Sequence, residues 1–259
     1  RDDLRRALTL WPELQLQARQ LLDQYVAVNP GFQQFRFGQV TLTLLVGDAL
    51  DQLKELDAQV DAWFLDGFAP PKNPDMWQPE LFEQVARLSA PGATLATFGS
   101  AGSVRRALKE AGFEIKRIPG FGQKWENIQG HLAASPKTLE SPWFARPSYK
   151  PTQRKALIIG AGLAGCASAA SLAARGWQVT LLERHDDVAQ EGSGNPQGVL
   201  YLKLSAHGTA LSQLVASGFG YTRRLLQNLQ QGQDWDACGV LQLAFDHKES
   251  ARQAALSDA

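Results

Sequence analysis

Soft and imidazole ligands are scarce in this 259-residue chain, which holds two cysteines and four histidines. Cys166 and Cys238 cannot build a disulfide framework or a zinc site, and the histidines, at 131, 185, 207 and 247, show no metal-ligand spacing. No bound metal is expected. No run of about 18 apolar residues occurs, which argues against a membrane-spanning helix. No signal-peptide pattern opens the chain either, so a cytoplasmic location is expected. Charge of one sign is not in excess: Lys plus Arg and Asp plus Glu each number 26. Zero net charge gives no global attraction to nucleic acid, so such a contact must come from a local patch. An initiating methionine is also missing, and the pattern starts abruptly at Arg1; an internal piece of a longer protein is expected.

Hydrophobic residues make up 44% and charged residues 20%, the balance of a packed globular chain. Its length suits one large domain or two modest ones, at about 100–200 residues each. Leu14, Ala18, Leu21, Leu22 and Tyr25 follow Pro12 at helical spacing. Phe35 to Val46 alternates and reads as strand or hairpin, and Ala49 to Leu56 as a short helix. Leu81 to Leu88 is predicted helical and Ala93 to Phe98 extended. Ser103 is placed to cap a helix whose Val104, Ala107, Leu108 and Ala111 share a face, with Gly112 at its left-handed end. Phe113 to Ile118 and Trp125 to Leu132 read as an antiparallel pair. Residues 133–155 carry Pro136, Pro142, Pro147 and Pro151 and read as a linker. Further on, Leu211, Leu214, Val215, Gly218, Leu225 and Leu229 mark a long helix, and Cys238 to Ala244 a strand.

Two stretches carry chemistry. The first runs from Ala62 to Trp77. Ala62–Leu65 is short enough to be a buried strand, and it delivers Asp66 to the carboxyl end of the sheet, where open α/β folds bind ligands. Asp66 then either caps the turn or accepts hydrogen bonds from an amine. Phe68, beside Ala69-Pro70-Pro71, offers a ring on which a base can stack. Asp48 stands in the same way after a strand, either as a helix N-cap or as an acceptor for an adenine amino group.

The second stretch is Gly160-Ala161-Gly162-Leu163-Ala164-Gly165. It follows the apolar strand Lys155–Ile159 and opens an alanine-rich helix reaching Arg175. The strand Trp177–Leu182 comes next and ends on Glu183, eighteen residues after Gly165. In that setting the glycines form a dinucleotide fingerprint. Gly160 makes the tight turn, Gly162 admits the pyrophosphate, and Gly165 allows close helix–strand packing. The helix N-terminus attracts the phosphates, and Glu183 accepts from the adenosine ribose. The dinucleotide is FAD or NAD on this ground alone.

On these residues the chain resembles the family of bifunctional tRNA-modifying enzymes that build 5-methylaminomethyl-2-thiouridine. Asp66 to Trp77 is similar to the signature of its methyltransferase half. The loop Glu191–Gly198 resembles the flavin-contacting loop of amine oxidases, which selects FAD and implies Ser193, Gly194, Asn195, Gln197 and Gly198 as contacts. The resemblance implies an α/β fold: the C-terminal part of a class I (Rossmann-like) methyltransferase over residues 1–132, the linker 133–155, and the N-terminal part of an FAD-binding Rossmann domain over 156–259. It implies Asp48 and Asp66 toward S-adenosylmethionine, Asp66 and Phe68 as the reacting pair, and Lys72 and Asn73 toward the substrate. That substrate is the wobble uridine of tRNA, losing a carboxymethyl group in the flavin half and gaining a methyl group in the other. Arg105, Arg106, Lys109, Lys116, Arg117 and Lys124 form the local basic patch. Two departures stand out: Gln123-Lys124-Trp125-Glu126-Asn127 is less basic than the family's run, and Leu202 replaces a proline. The glycine-rich S-adenosylmethionine loop is expected ahead of Arg1. The fragment is accordingly expected to bind both cofactors poorly and to transfer no methyl group. A flavin amine oxidase carrying a non-catalytic, tRNA-docking methyltransferase-like domain is the alternative.

Overall fold

The computed structural model describes residues 2–25, 30–120, 122, 125–133, 152–202 and 209–257. Lys124 and nearly all of the expected linker lie outside the described residues. The chain forms two compact units, Arg1–Leu139 with Tyr201–Ala259, and Glu140–Leu200. The segment 156–259 is thus divided between them.

In the first unit, α1 (Asp2–Leu8) and α2 (Gln15–Gln24) precede a hairpin of β1 (Gly31–Phe37) and β2 (Val40–Val46). The hairpin begins four residues earlier than the alternation from Phe35 suggests, and its turn is made by Gly38 at φ +59°. Next come α3 (Ala49–Glu55), β3 (Val60–Leu65), α4 (Pro79–Leu88), β4 (Ser89–Thr97), α5 (Gly102–Glu110), β5 (Phe113–Pro119) and β6 (Glu126–Leu132). Strands β3 to β6 form one sheet in the order β3-β4-β6-β5. β3 runs parallel to β4, and β6 is antiparallel to both β4 and β5. The succession is strand, helix, strand, helix and hairpin, an α/β arrangement as the resemblance implies.

The core follows from helix periodicity. Pro79 opens α4, where its missing N–H costs nothing. Leu81, Phe82, Val85 and Leu88 then recur every three or four residues and are buried. α5 adds Val104, Ala107 and Leu108, and the sheet adds Leu95, Phe113, Ile128 and Leu132. Each large side chain sealed here contributes about 1.5–3 kcal/mol over its exposed state. Gly112, at φ +98°, ends α5 in the left-handed conformation expected of it. Ser103 does not cap this helix: α5 starts at Gly102, the N-cap is Ala101, and no side chain caps it. Ser103 therefore lies inside the first turn.

In the second unit β7 (Lys155–Ile159) and β8 (Gln178–Leu182) pair in parallel around the crossover helix α6 (Leu163–Ala173). Ala156, Ile158, Val179 and Leu181 are half-buried, while Leu157, Ile159 and Leu182 alternate with them and are exposed.

Two helices complete the described chain, α7 (Ala210–Leu226) and α8 (His247–Ser257). The strand expected over Cys238–Ala244 is absent: those residues pair with no other strand and stay irregular. Apolar alternation alone cannot make a strand without a partner edge. Among the described residues no helix is long and apolar enough to cross a membrane, and no three acidic, histidine or cysteine side chains cluster as a metal site.

Two candidate cofactor sites

β3 carries the chain to Asp66, but it is not the buried strand expected: none of its residues is buried, and Phe64 is 84% exposed. Asp66 is exposed, and its Oδ1 accepts from the N–H of Gly67 at 2.9 Å. The loop after it is held by Trp77, whose indole N–H donates to the carbonyl of Phe68 at 2.7 Å. The Trp77 ring is 7% exposed and meets Phe98 edge-on, at 6.4 Å between centroids. A Cβ on Gly99 would stand 3.0 Å from that ring, and a Cβ on Gly67 would stand 3.3 Å from Met76. Close backbone approach on both sides therefore locks the loop to the end of β4. The N–H groups of Lys72 and Asn73 both donate to the Ala69 carbonyl, at 2.7 and 3.2 Å, folding the proline segment into a turn. Lys72 is exposed and Asn73 half-buried. Phe68 has its carbonyl fixed while its ring stays 70% exposed. Trp77 is the residue that motif reading passes over. Its signal was a lone tryptophan closing a proline-rich loop.

Asp48 is the N-cap of α3, with Oδ1 accepting from Leu50 N–H at 3.0 Å and Asp51 N–H at 3.1 Å. The other end of α3 is tied to α4, since Arg87 donates to the carbonyls of Leu53 and Leu56. Of the basic patch, Arg117 is matched across the strands by Glu126 at 3.2 Å.

The second site is made of backbone. Gly160 sits at φ +96°, and its N–H extends the β7–β8 ladder to the Leu182 carbonyl at 2.7 Å. A Cβ on Gly165 would fall 1.9 Å from the Gly160 carbonyl oxygen, and one on Gly162 would fall 2.9 Å from Ser193 Oγ. Ser193 Oγ accepts from Leu163 N–H, the first of α6, at 3.1 Å. Glu183 takes three backbone N–H groups: Ala161 on Oε2 at 2.6 Å, and Arg184 and His185 on Oε1 at 2.8 and 3.1 Å. Those bonds, Ala161's foremost, hold its carboxyl below the ordinary glutamate value. An open cleft of about 620 Å³ is lined by Gly160, Gly162, Glu183 and Ser193 together with Arg184 and Glu191. Gly165 lies beneath it as helix packing, while Gly194, Asn195, Gln197 and Gly198 are not part of that lining. Gly194 has a steric role instead, because a Cβ there would stand 2.4 Å from the Ala189 carbonyl.

Ala161 is the junction that sequence reasoning missed. It is 1% exposed, donates to Glu183, and accepts from Ala189 N–H at 3.0 Å. Its position between the first two glycines was the only signal.

Comparison with known proteins matches two parts of the chain to two different families. Residues 12–133 match the S-adenosyl-L-methionine-dependent methyltransferase family, and residues 155–259 the FAD dependent oxidoreductase family. The tRNA 5-methylaminomethyl-2-thiouridine biosynthesis bifunctional protein MnmC of Stutzerimonas stutzeri (strain A1501) is 68% identical over 99% of this chain and 39% of its own length. The protein of that name from Pseudomonas savastanoi pv. phaseolicola is 67% identical over 100% of this chain and 40% of its own length. This chain spans roughly two-fifths of those curated relatives. A solved structure, MNMC2 from Aquifex Aeolicus, is 25% identical, covering 48% of this chain and 39% of that one at a TM-score of 0.39. The two parts of the chain are thus similar to two different families, residues 12–133 to the S-adenosyl-L-methionine-dependent methyltransferases and residues 155–259 to the FAD dependent oxidoreductases.

Proposed function

We propose that this chain is part of a cytoplasmic, two-step tRNA-modifying enzyme. One half removes the carboxymethyl group from 5-carboxymethylaminomethyl-(2-thio)uridine with FAD, and the other methylates the exposed amine with S-adenosylmethionine. The observation that supports this most is the joint match: both family segments, in this order, fall within a single relative that is 68% identical and bears that name. The domain limits that go with it are 1–132, the linker 133–155 and 156–259.

The glycine corner fits a dinucleotide. Gly160 and Gly162 line a cleft, Gly162 leaving beside Ser193 Oγ the space that a Cβ would fill, and the start of α6 supplies N–H groups to a pyrophosphate. Glu183 is held ionised and therefore acceptor-only; with three of its roughly four lone-pair sites taken, it keeps room for a ribose hydroxyl. FAD, when bound, supplies the two-electron acceptor for the oxidation. Ser193, beside Leu163, and the loop through Gly194, Asn195, Gln197 and Gly198 complete this assignment.

The fit to S-adenosylmethionine is partial. Asp48 offers an acid after a strand, but its Oδ1 is already engaged as the N-cap of α3. What Asp66 itself can do is accept N–H bonds from an amine and turn the amine's lone pair toward its target. Phe68 presents a ring for a base, a contact worth about 1–3 kcal/mol where it stacks. Lys72 and Asn73 face the same loop and are assigned to neighbouring groups of the tRNA.

Nucleoside analysis of tRNA from cells lacking the intact gene tests the proposal. Loss of the methylaminomethyl nucleoside with a rise in its carboxymethylaminomethyl precursor is expected; an unchanged profile sinks it. Asp66→Ala in the full-length protein separates the alternative. Oxidation without methylation supports a catalytic methyltransferase half, whereas unaltered methylation favours a docking domain.

A further inference from the structure

Helix α7 belongs by family to the oxidoreductase segment, yet it is seated on the methyltransferase segment. Ser217 Oγ donates to the Phe32 carbonyl at 2.9 Å, and Gln227 Nε2 donates to the Asp23 carbonyl at 2.8 Å. The Arg224 guanidinium stands 5.0 Å over the ring of Phe35. That ring is 1% exposed and also stacks on Tyr25, at 6.2 Å between centroids and 16° between planes. Burial pushes the Arg224 guanidinium down from its ordinary value, as expected where a cation leaves water for an aromatic face.

The seat is an edge strand. β1 pairs on one side with β2, and an uncovered edge presents backbone groups to any passing strand. The Gln24 side chain covers part of it, donating to the Arg36 carbonyl at 2.8 Å and accepting from Arg36 N–H at 3.1 Å. Ser217 covers the Phe32 carbonyl. α7 thus docks through Ser217, Gly220, Arg224 and the neighbouring Gln227, while its apolar stripe points away: Leu211 and Leu214 are each 69% exposed and Leu225 is 42% exposed. Contact through the polar face is not what hydrophobic periodicity predicts for a helix merely covering a core.

We infer that α7 is a shared element: the oxidoreductase segment contributes the helix that closes the β1 edge of the methyltransferase segment. The two segments are then joined by a noncovalent interface in addition to the chain between them. This rests on the two family assignments and on the packing, not on the reaction proposed above.

Hydrogen exchange on the intact chain tests it. Arg224→Ala should speed exchange of the amides of residues 31–46 by about five- to tenfold, and Arg224→Lys, which keeps a cation, by less. Leu214→Ala, on the outward face, should leave 31–46 unchanged. Unaltered exchange in Arg224→Ala overturns the inference, as does equal acceleration by Leu214→Ala. Uniform acceleration through β4 and β6 also overturns it, because that would mark a general loss of stability.

Discussion

At residues 160–165 the backbone makes the site, whereas at residues 66–77 side chains do. The glycine corner tolerates no Cβ at Gly165, and its acid is tied by three N–H groups. The Asp66 loop is held mainly by the Trp77 side chain, and its reactive groups stand in the open. Packing separates the two regions as well. The residues from Trp77 to Leu132 enclose a continuous apolar core, while Ala161 is the only buried hydrophobic among the described residues of 152–200. A site made by backbone geometry thus keeps its shape on a thin scaffold. A site made by side chains needs the dense one.

That contrast can be broken from either side. Trp77→Ala should have the largest effect, removing a buried ring and its hydrogen bond at a cost of about 3–5 kcal/mol. Chemical denaturation monitored on the first unit would show it, with the fold of the glycine corner untouched. Gly165→Ala does the reverse. Its Cβ overlaps the Gly160 carbonyl, so a local cost of about 1–3 kcal/mol is expected together with loss of flavin binding. Flavin absorbance of the full-length protein measures the loss, and retained flavin would refute the steric argument. Asp48→Ala removes two cap bonds from α3 and should cost about 1 kcal/mol. A cost confined to stability would leave Asp48 a cap; an added rise in the KM for S-adenosylmethionine in the full-length protein would make it a ligand too.

The glycine corner was legible because its chemistry is a sequence rule: only glycine fits at Gly160 and Gly165, and Glu183 must end the next strand. The α4 and α5 faces were legible from periodicity, as burial of Val85, Val104 and Leu108 requires. Three features were not. Ala161 acts through its backbone, which any residue type shares. Trp77 is decided by contacts with Phe98 and Gly99, both more than twenty residues on. α7 presents a good apolar stripe and uses the other face, so its periodicity located the helix and misdirected its contact.

The smallest predicted effect concerns Glu183, a carboxylate held by backbone N–H groups. Its folded pKa lies below the ordinary glutamate value of 4.5, chiefly through the Ala161 N–H. A depressed carboxyl contributes stability that is fully present above the unfolded pKa and is lost as pH falls through the folded one. Wild-type stability should therefore decline below about pH 4.5 in part through this group. Glu183→Gln cannot release that proton. It should be slightly less stable at neutral pH, and its acid limb should be flatter over the same window. Because Glu183 is close to solvent, salt should shrink the difference. Urea midpoints across that range measure it, and parallel acid limbs for the wild type and Glu183→Gln would mean that the backbone cradle holds no ionised carboxylate.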